Sequence, residues 1–124
     1  MDKVIHFEIP VDELERAQKF YKSIFGWNMN EVPGMEYIMV GTTESNENSM
    51  PTEPGAINGG MMKRQGPVTS PVIIINVRNI DDTLKKLKKM GREVVKEKIP
   101  VGAMGYLAYF KDTEDNTIGL WQLM

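Results

Sequence analysis

The sequence predicts an α+β fold made of two βαβββ modules, and three observations carry that prediction. Residues 4–26 read VIHFEIPVDELERAQKFYKSIFG, and residues 72–91 read VIIINVRNIDDTLKKLKKMG. Each is an apolar strand-like run, then an acidic or amide helix cap, then an amphipathic helix closed by Gly. After each helix come three short strand-like segments. Aligning the caps Glu13 and Asn79 gives one repeat offset of 66 residues within a chain of 124. That length suits a single domain. Module one occupies 1–64, a linker 65–70 and module two 71–124. A ligand is expected between two concave half-sheets.

In the first strand Ile5, Phe7 and Ile9 alternate with Val4, His6 and Glu8. Alternate strand residues face opposite sides, so the first set is expected under the helix and His6 with Glu8 on the other face. Asp12 followed by Glu15 reads as a capping box. Leu14, Ala17, Phe20, Tyr21, Ile24 and Phe25 fall at helical spacing, which predicts one buried face. Gly26 stands where a left-handed C-cap belongs. Strands are expected near Trp27–Glu31, Met35–Gly41 and Ala56–Lys63, with the polar stretch TTESNENSMPTEP as the longest loop. Gly66 and Pro67 mark the linker.

Module two repeats the pattern. Ile73, Ile75 and Val77 are expected to face a helix capped by Asn79 and striped by Ile80, Leu84, Leu87 and Met90. Strands follow near Glu93–Glu97, Gly105–Lys111 and Thr117–Leu123, the last fed by a tight turn at DTEDN. The run KKLKK at 85–89 reads as a solvated helix face with Leu87 turned inward.

Composition narrows the function classes. Apolar residues make up 41% and charged residues 26%, an ordinary globular balance, and the net charge of −2 argues against binding nucleic acid through phosphates. There is no Cys, which removes disulfides, thiolate metal sites and a Cys nucleophile. The N-terminus enters a strand pattern with no signal-peptide character, and the run Val72–Val77 is far short of the ~20 residues a membrane span needs. A cytoplasmic protein with no membrane partner is expected.

Two βαβββ units in this order resemble the vicinal oxygen chelate superfamily, which includes glyoxalase I, bleomycin-resistance proteins and extradiol dioxygenases. HFEIPVDELERAQKFYKSIFGW is similar to the first strand and helix of a glyoxalase-like subgroup. GAINGGMMKR is similar to its fourth strand, and FKDTEDNTIGLWQ to its last turn and strand. The resemblance implies an open mixed-sheet barrel around a cavity. It also implies, in catalytic members, a divalent metal held by His or Glu from the first and fourth strands of both modules. Carried over, those positions fall on His6, Val72, Gly119 and either Gly59 or Gly60. Only His6 keeps a ligand side chain, so no bound metal and no cofactor are expected. Relatives commonly pair, and a homodimer is expected.

The chain has a single His, which excludes a two-histidine iron site within it. His6 with Glu8 is the candidate catalytic pair, as base and orienting carboxylate. The alternative is that His6 is a hydrogen-bonded pocket residue with no chemical task. A serine triad is improbable: Ser45, Ser49 and Ser70 lie in loops and Ser23 on the helix. GGMMKR lacks the spacing of a phosphate loop. Ten methionines supply adaptable apolar surface, whether for the core or for a pocket. Asn58, Tyr106 and Trp121 are the candidate ligand-binding residues. The favoured function is binding a small apolar or aromatic molecule in a metal-free cavity. The alternative is a lyase or isomerase using His6 and Glu8.

Overall fold

The structure, a computed structural model, describes every residue except Ser49. Eight strands and two helices follow the order β1 (Lys3–Val11), α1 (Leu14–Phe25), β2 (Asn28–Glu31), β3 (Tyr37–Gly41), β4 (Asn58–Lys63), β5 (Val72–Asn76), α2 (Ile80–Lys89), β6 (Val94–Val101), β7 (Gly105–Lys111) and β8 (Thr117–Leu123). This is the α+β arrangement of two βαβββ modules. The chain divides into two compact units, His6–Pro71 and Val72–Met124, the latter joined by Met1–Ile5. The linker segment Gln65–Ser70 falls in the first of these. It carries a small bridge between Gln65 and Val68, and Val68 is buried. Arg64 ties it down, through Asp12 on one side and the Thr69 carbonyl on the other.

In the first unit β1 and β4 run parallel, and β4–β3 and β3–β2 are antiparallel. Phe7, Ile9 and Val11 alternate toward the helix, as the strand pattern predicts. They pack with Ile38, Val40 and Met61 from the sheet and with Leu14, Ala17 and Tyr21 from α1. Gly26 ends α1 at φ 72°, its N–H bonded to the Lys22 carbonyl at 2.9 Å.

Two expectations about this helix are corrected. Its N-cap is Glu13, whose side chain makes no capping bond, and Asp12 instead pairs with Arg64 at 3.0 Å. The buried stripe is also narrower than its spacing implies. Leu14, Ala17 and Tyr21 form the contact, while Phe20, Ile24 and Phe25 are 55%, 62% and 58% exposed. Phe20 and Ile24 fall on the shoulder of the stripe. Phe25, in the last turn, turns to the aromatic cluster of Tyr21 and Trp27, whose rings lie parallel at 5.1 Å.

The other unit pairs β5 with β8 in parallel, then β8–β7 and β7–β6 antiparallel. Asn79 caps α2 by accepting from the Asp82 N–H at 3.0 Å, and Gln122 Oε1 accepts a second free donor, Ile80 N–H, at 2.7 Å. Ile80 and Leu84 are buried against Val77, Ala108 and Leu120, and Leu87 packs beside them while the neighbouring lysines stay exposed. Met90 is 73% exposed and drops out of the stripe, because the helix ends there and Gly91 turns the chain at φ 75°. Ile75 and Val77 face the helix, but Ile73 is exposed. Strand β6 runs on to Val101 past two register shifts, longer than its sequence pattern indicated. The DTEDN turn forms around Asp112, whose carboxylate accepts from the N–H groups of Glu114 and Asn116 at 2.8 Å.

Candidate functional site

The face of the first half-sheet turned away from α1 is built by register. His6 lies opposite Asn58, Glu8 opposite Gly60 and Pro10 opposite Met62. From the far side of β4, Tyr37 comes across this face. Its hydroxyl donates to Glu8 Oε2 at 3.1 Å and lies 3.2 Å from His6 Nε2. The geometry orients the protons. A phenol has one proton, and with it directed to Glu8 the tautomer assigned to His6 is the one that donates from Nε2 and carries its lone pair on Nδ1.

Burial shapes the electrostatics of His6 and Glu8. Glu8 is only 3% exposed, the one buried charged side chain among the described residues, and hydrogen bonding offsets part of that cost. Desolvation lowers the His6 pKa from 6.5 to about 4, so the imidazole is neutral near pH 7.

Gly60 is what admits Tyr37. A Cβ built on Gly60 would stand 1.7 Å from the Tyr37 hydroxyl oxygen and 2.0 Å from its Cζ. A Cβ on Gly59 would meet the Phe7 ring at 2.4 Å, on the helix side. The two glycines therefore serve opposite faces, and Gly60 is the one on the face of His6 and Glu8. Gly60 pairs with Glu8 as Gly119 pairs with Ile74, and 8 to 74 is the repeat offset of 66.

In the second half-sheet, the face away from α2 carries Gly119, Trp121, Leu107 and Tyr109 through the β7–β8 register. A Cβ on Gly119 would lie 2.8 Å from Ile74 Cγ1, and a Cβ on Gly105 would lie 2.6 Å from the Trp121 ring. Tyr109, Val72 and Ile74 are buried. Asn76, in register with Trp121, has a buried Oδ1 with no hydrogen-bond partner among the described residues. A cleft of about 420 Å³ lies by Met1–Lys3, Asn76–Arg78 and Leu123.

The sequence-predicted residues therefore fare differently. His6 and Glu8 are brought together, with Tyr37 between them. Asn58 lies opposite His6, but its amide holds the β3–β4 connection, accepting from Thr42 N–H at 3.0 Å and donating to Ser45 Oγ at 2.8 Å. Trp121 shares the face of Gly119. Tyr106 does not: it alternates to the helix side, packs on the α2 cluster, and takes the Lys98 ammonium over its ring at 4.9 Å. Strand alternation with Ala108 and Phe110 puts it there, and Leu107 takes the place on the Trp121 face. Ser49, named among the loop serines, lies outside the described residues. Tyr37 is the residue sequence reasoning underrated. The signal for it was the glycine pair, since a bare strand position needs a large neighbour to fill it.

The four superfamily ligand positions do not fit a metal. At Gly60 the side-chain space holds the Tyr37 hydroxyl, at Gly119 it is roofed by Ile74, and Val72 is aliphatic. No group of three or more His, Asp or Glu side chains suited to a metal occurs among the described residues.

Comparison with known proteins defines the class. A profile described as "Bleomycin resistance protein-like N-terminal" matches residues 3–43. A "Glyoxylase-like domain-containing protein" of Didymella fabae is 30% identical over 115 residues, covering 89% of this chain and 85% of that one. This chain accordingly belongs to the glyoxalase-like family. The "Putative glyoxylase CFP32" of Mycobacterium tuberculosis is 27% identical over 93% of this chain, which spans only 43% of that protein. Among solved structures, methylmalonyl-CoA epimerase from Mycobacterium tuberculosis shares the fold at a TM-score of 0.66, with 16% identity, over 98% of this chain and 87% of that one. A glyoxalase/bleomycin resistance protein/dioxygenase superfamily member from Vibrio splendidus 12B01 does so at 0.63, with 11% identity, over the full length of both.

Proposed function

We propose that this chain binds a small apolar or aromatic molecule without a metal cofactor. The observation that carries the reading is Ile74 over Gly119: where catalytic relatives are expected to hold a carboxylate, this chain places an aliphatic carbon 2.8 Å from the missing Cβ. Trp121 adds flat aromatic surface on the same face, where Tyr109 is buried. The unpartnered Asn76 Oδ1 suits a ligand carrying one hydrogen-bond donor. The working form is a homodimer in the cytoplasm. No helix among the described residues is long and apolar enough to cross a membrane.

A thermal-shift screen of aromatic and apolar compounds, run with and without divalent metals, tests this reading. Stabilisation by a compound with no metal requirement supports it. Hits that appear only with metal refute it.

A second reading follows from the contact of His6 with Tyr37 and Glu8. A neutral imidazole with its lone pair on Nδ1 is the correct form for a general base, in a lyase or isomerase. The chain shares its fold with a protein described as a methylmalonyl-CoA epimerase, at 16% identity. Turnover of a carbon acid that is lost in His6→Gln would favour this reading over binding alone.

A further inference from the structure

We propose that the Tyr37 hydroxyl stands in for the metal of catalytic relatives, bridging His6 and Glu8 from the volume above Gly60 and excluding a cation from both. The inference rests on the metal-free reading given above and names the residue that enforces it.

Three features converge on one oxygen atom. It contacts His6 Nε2 at 3.2 Å and Glu8 Oε2 at 3.1 Å, which makes it the common partner of the two donor side chains on this face. It occupies the space of a Gly60 side chain, the one position in β4 from which a third donor would come. It also fixes the imidazole with the proton on Nε2. A cation approaching that nitrogen would have to displace the phenol and move the proton first. Glu8 gains a hydrogen bond from the phenol, which satisfies its buried Oε2. Tyr37 is thus a positioning and specificity-determining residue. It selects neutral ligands for this face by holding the groups that would attract metals.

The exchange of a small residue for a large one should be reversible. Replacing Tyr37 with Ala empties the volume above Gly60, and Gly60→Glu then fills it with a carboxylate beside His6 and Glu8. Isothermal titration with Zn²⁺ alone and with Ni²⁺ alone would compare the native chain, Tyr37→Ala, Gly60→Glu and the double variant. The double variant is expected to bind one equivalent at least about 100-fold more tightly than the native chain, and to lose that gain when His6→Ala is added. Gly60→Glu alone is expected to melt below the double variant, because only there does the new side chain meet the phenol.

Tight binding of one metal ion by the native chain would overturn both the inference and the metal-free reading. A folded double variant with no gain in metal affinity would overturn the inference alone, since the ligand screen reads the metal-free function separately. Should the double variant not fold, Tyr37→Phe decides the matter. The chain has one imidazole, so its ¹⁵N shifts report the tautomer directly. Loss of the Nε2–H preference in Tyr37→Phe supports the bridge, and unchanged shifts refute it.

Discussion

The Tyr37 hydroxyl lies so close to the α-carbon of Gly60 that no other amino acid is compatible with it: an ideal Cβ there would be 1.7 Å from the oxygen. The neighbour it would strike is a ring held in place by His6 and Glu8, not the loose end of a flexible chain. Gly60→Ala is therefore expected to push Tyr37 off the face and cost about 1–3 kcal/mol, the usual range for overpacking. Denaturant unfolding checks it, and a midpoint shift should appear with little change in slope. In a Tyr37→Ala background the same substitution should cost much less.

The pH dependence of stability should carry the signature of His6. Its folded pKa, about 4, lies below the ordinary value of 6.5. The folded state therefore resists protonation that the unfolded chain accepts. The stabilising effect of a neutral imidazole is fully present above pH 6.5 and is lost progressively between 6.5 and 4. Below that both states are protonated and the loss levels off. The whole step amounts to at most about 3 kcal/mol. Unfolding curves from pH 8 to 4 should show it, and His6→Gln should flatten that part of the profile.

Much of this architecture was legible in the sequence because it is periodic. The helix N-caps and the alternation in β1 repeat at an offset of 66 and the closing glycines Gly26 and Gly91 at 65, and packing agrees with the pattern in Phe7, Ile9, Val77 and Leu84. Burial depth was less legible. Phe20 and Ile24 satisfy the helical period, yet the sheet below α1 reaches only Leu14, Ala17 and Tyr21. The facing of Tyr106 depended on the register of β7, which periodicity alone does not set when both faces of a strand are largely apolar. The Tyr37 bridge joins residues 31 and 29 positions apart across three strands, so the glycine pair marks a bare position but no local spacing identifies the ring that fills it.

The shallow packing of α1 has a direct consequence for mutants. Phe20→Gln and Ile24→Gln should each change stability by less than about 0.5 kcal/mol, as exposed substitutions do. Tyr21→Ala should cost about 2–4 kcal/mol, since it removes the ring stacked on Trp27 at 5.1 Å and a contact with the sheet core. Equal losses at all three positions would restore the broad buried stripe that the sequence spacing suggests.

The two helix caps offer a matched pair within one chain. Asn79 makes its capping bond to the Asp82 N–H, whereas Glu13, at the same place in the other module, makes none. Asn79→Ala should cost about 1 kcal/mol, while Glu13→Ala should be close to neutral.

Trp121 is where the proposed function meets a single side chain. Its ring lies over Gly105, on the face of Gly119 and away from the α2 cluster. Stacking on a ligand ring is worth about 0.5–1.5 kcal/mol beyond buried area. Trp121→Ala should therefore weaken a compound found in the metal-free screen by roughly 3-fold to 10-fold or more. Trp121→Phe should recover part of that loss, because it restores a flat apolar surface. The other tryptophan, Trp27, packs with Phe7, Tyr21 and Phe25 in the first unit, so its fluorescence should stay constant as ligand is added. Any quenching would come from Trp121 and should vanish in Trp121→Phe. Unchanged affinity in Trp121→Ala, with quenching that persists, would move the ligand away from this face.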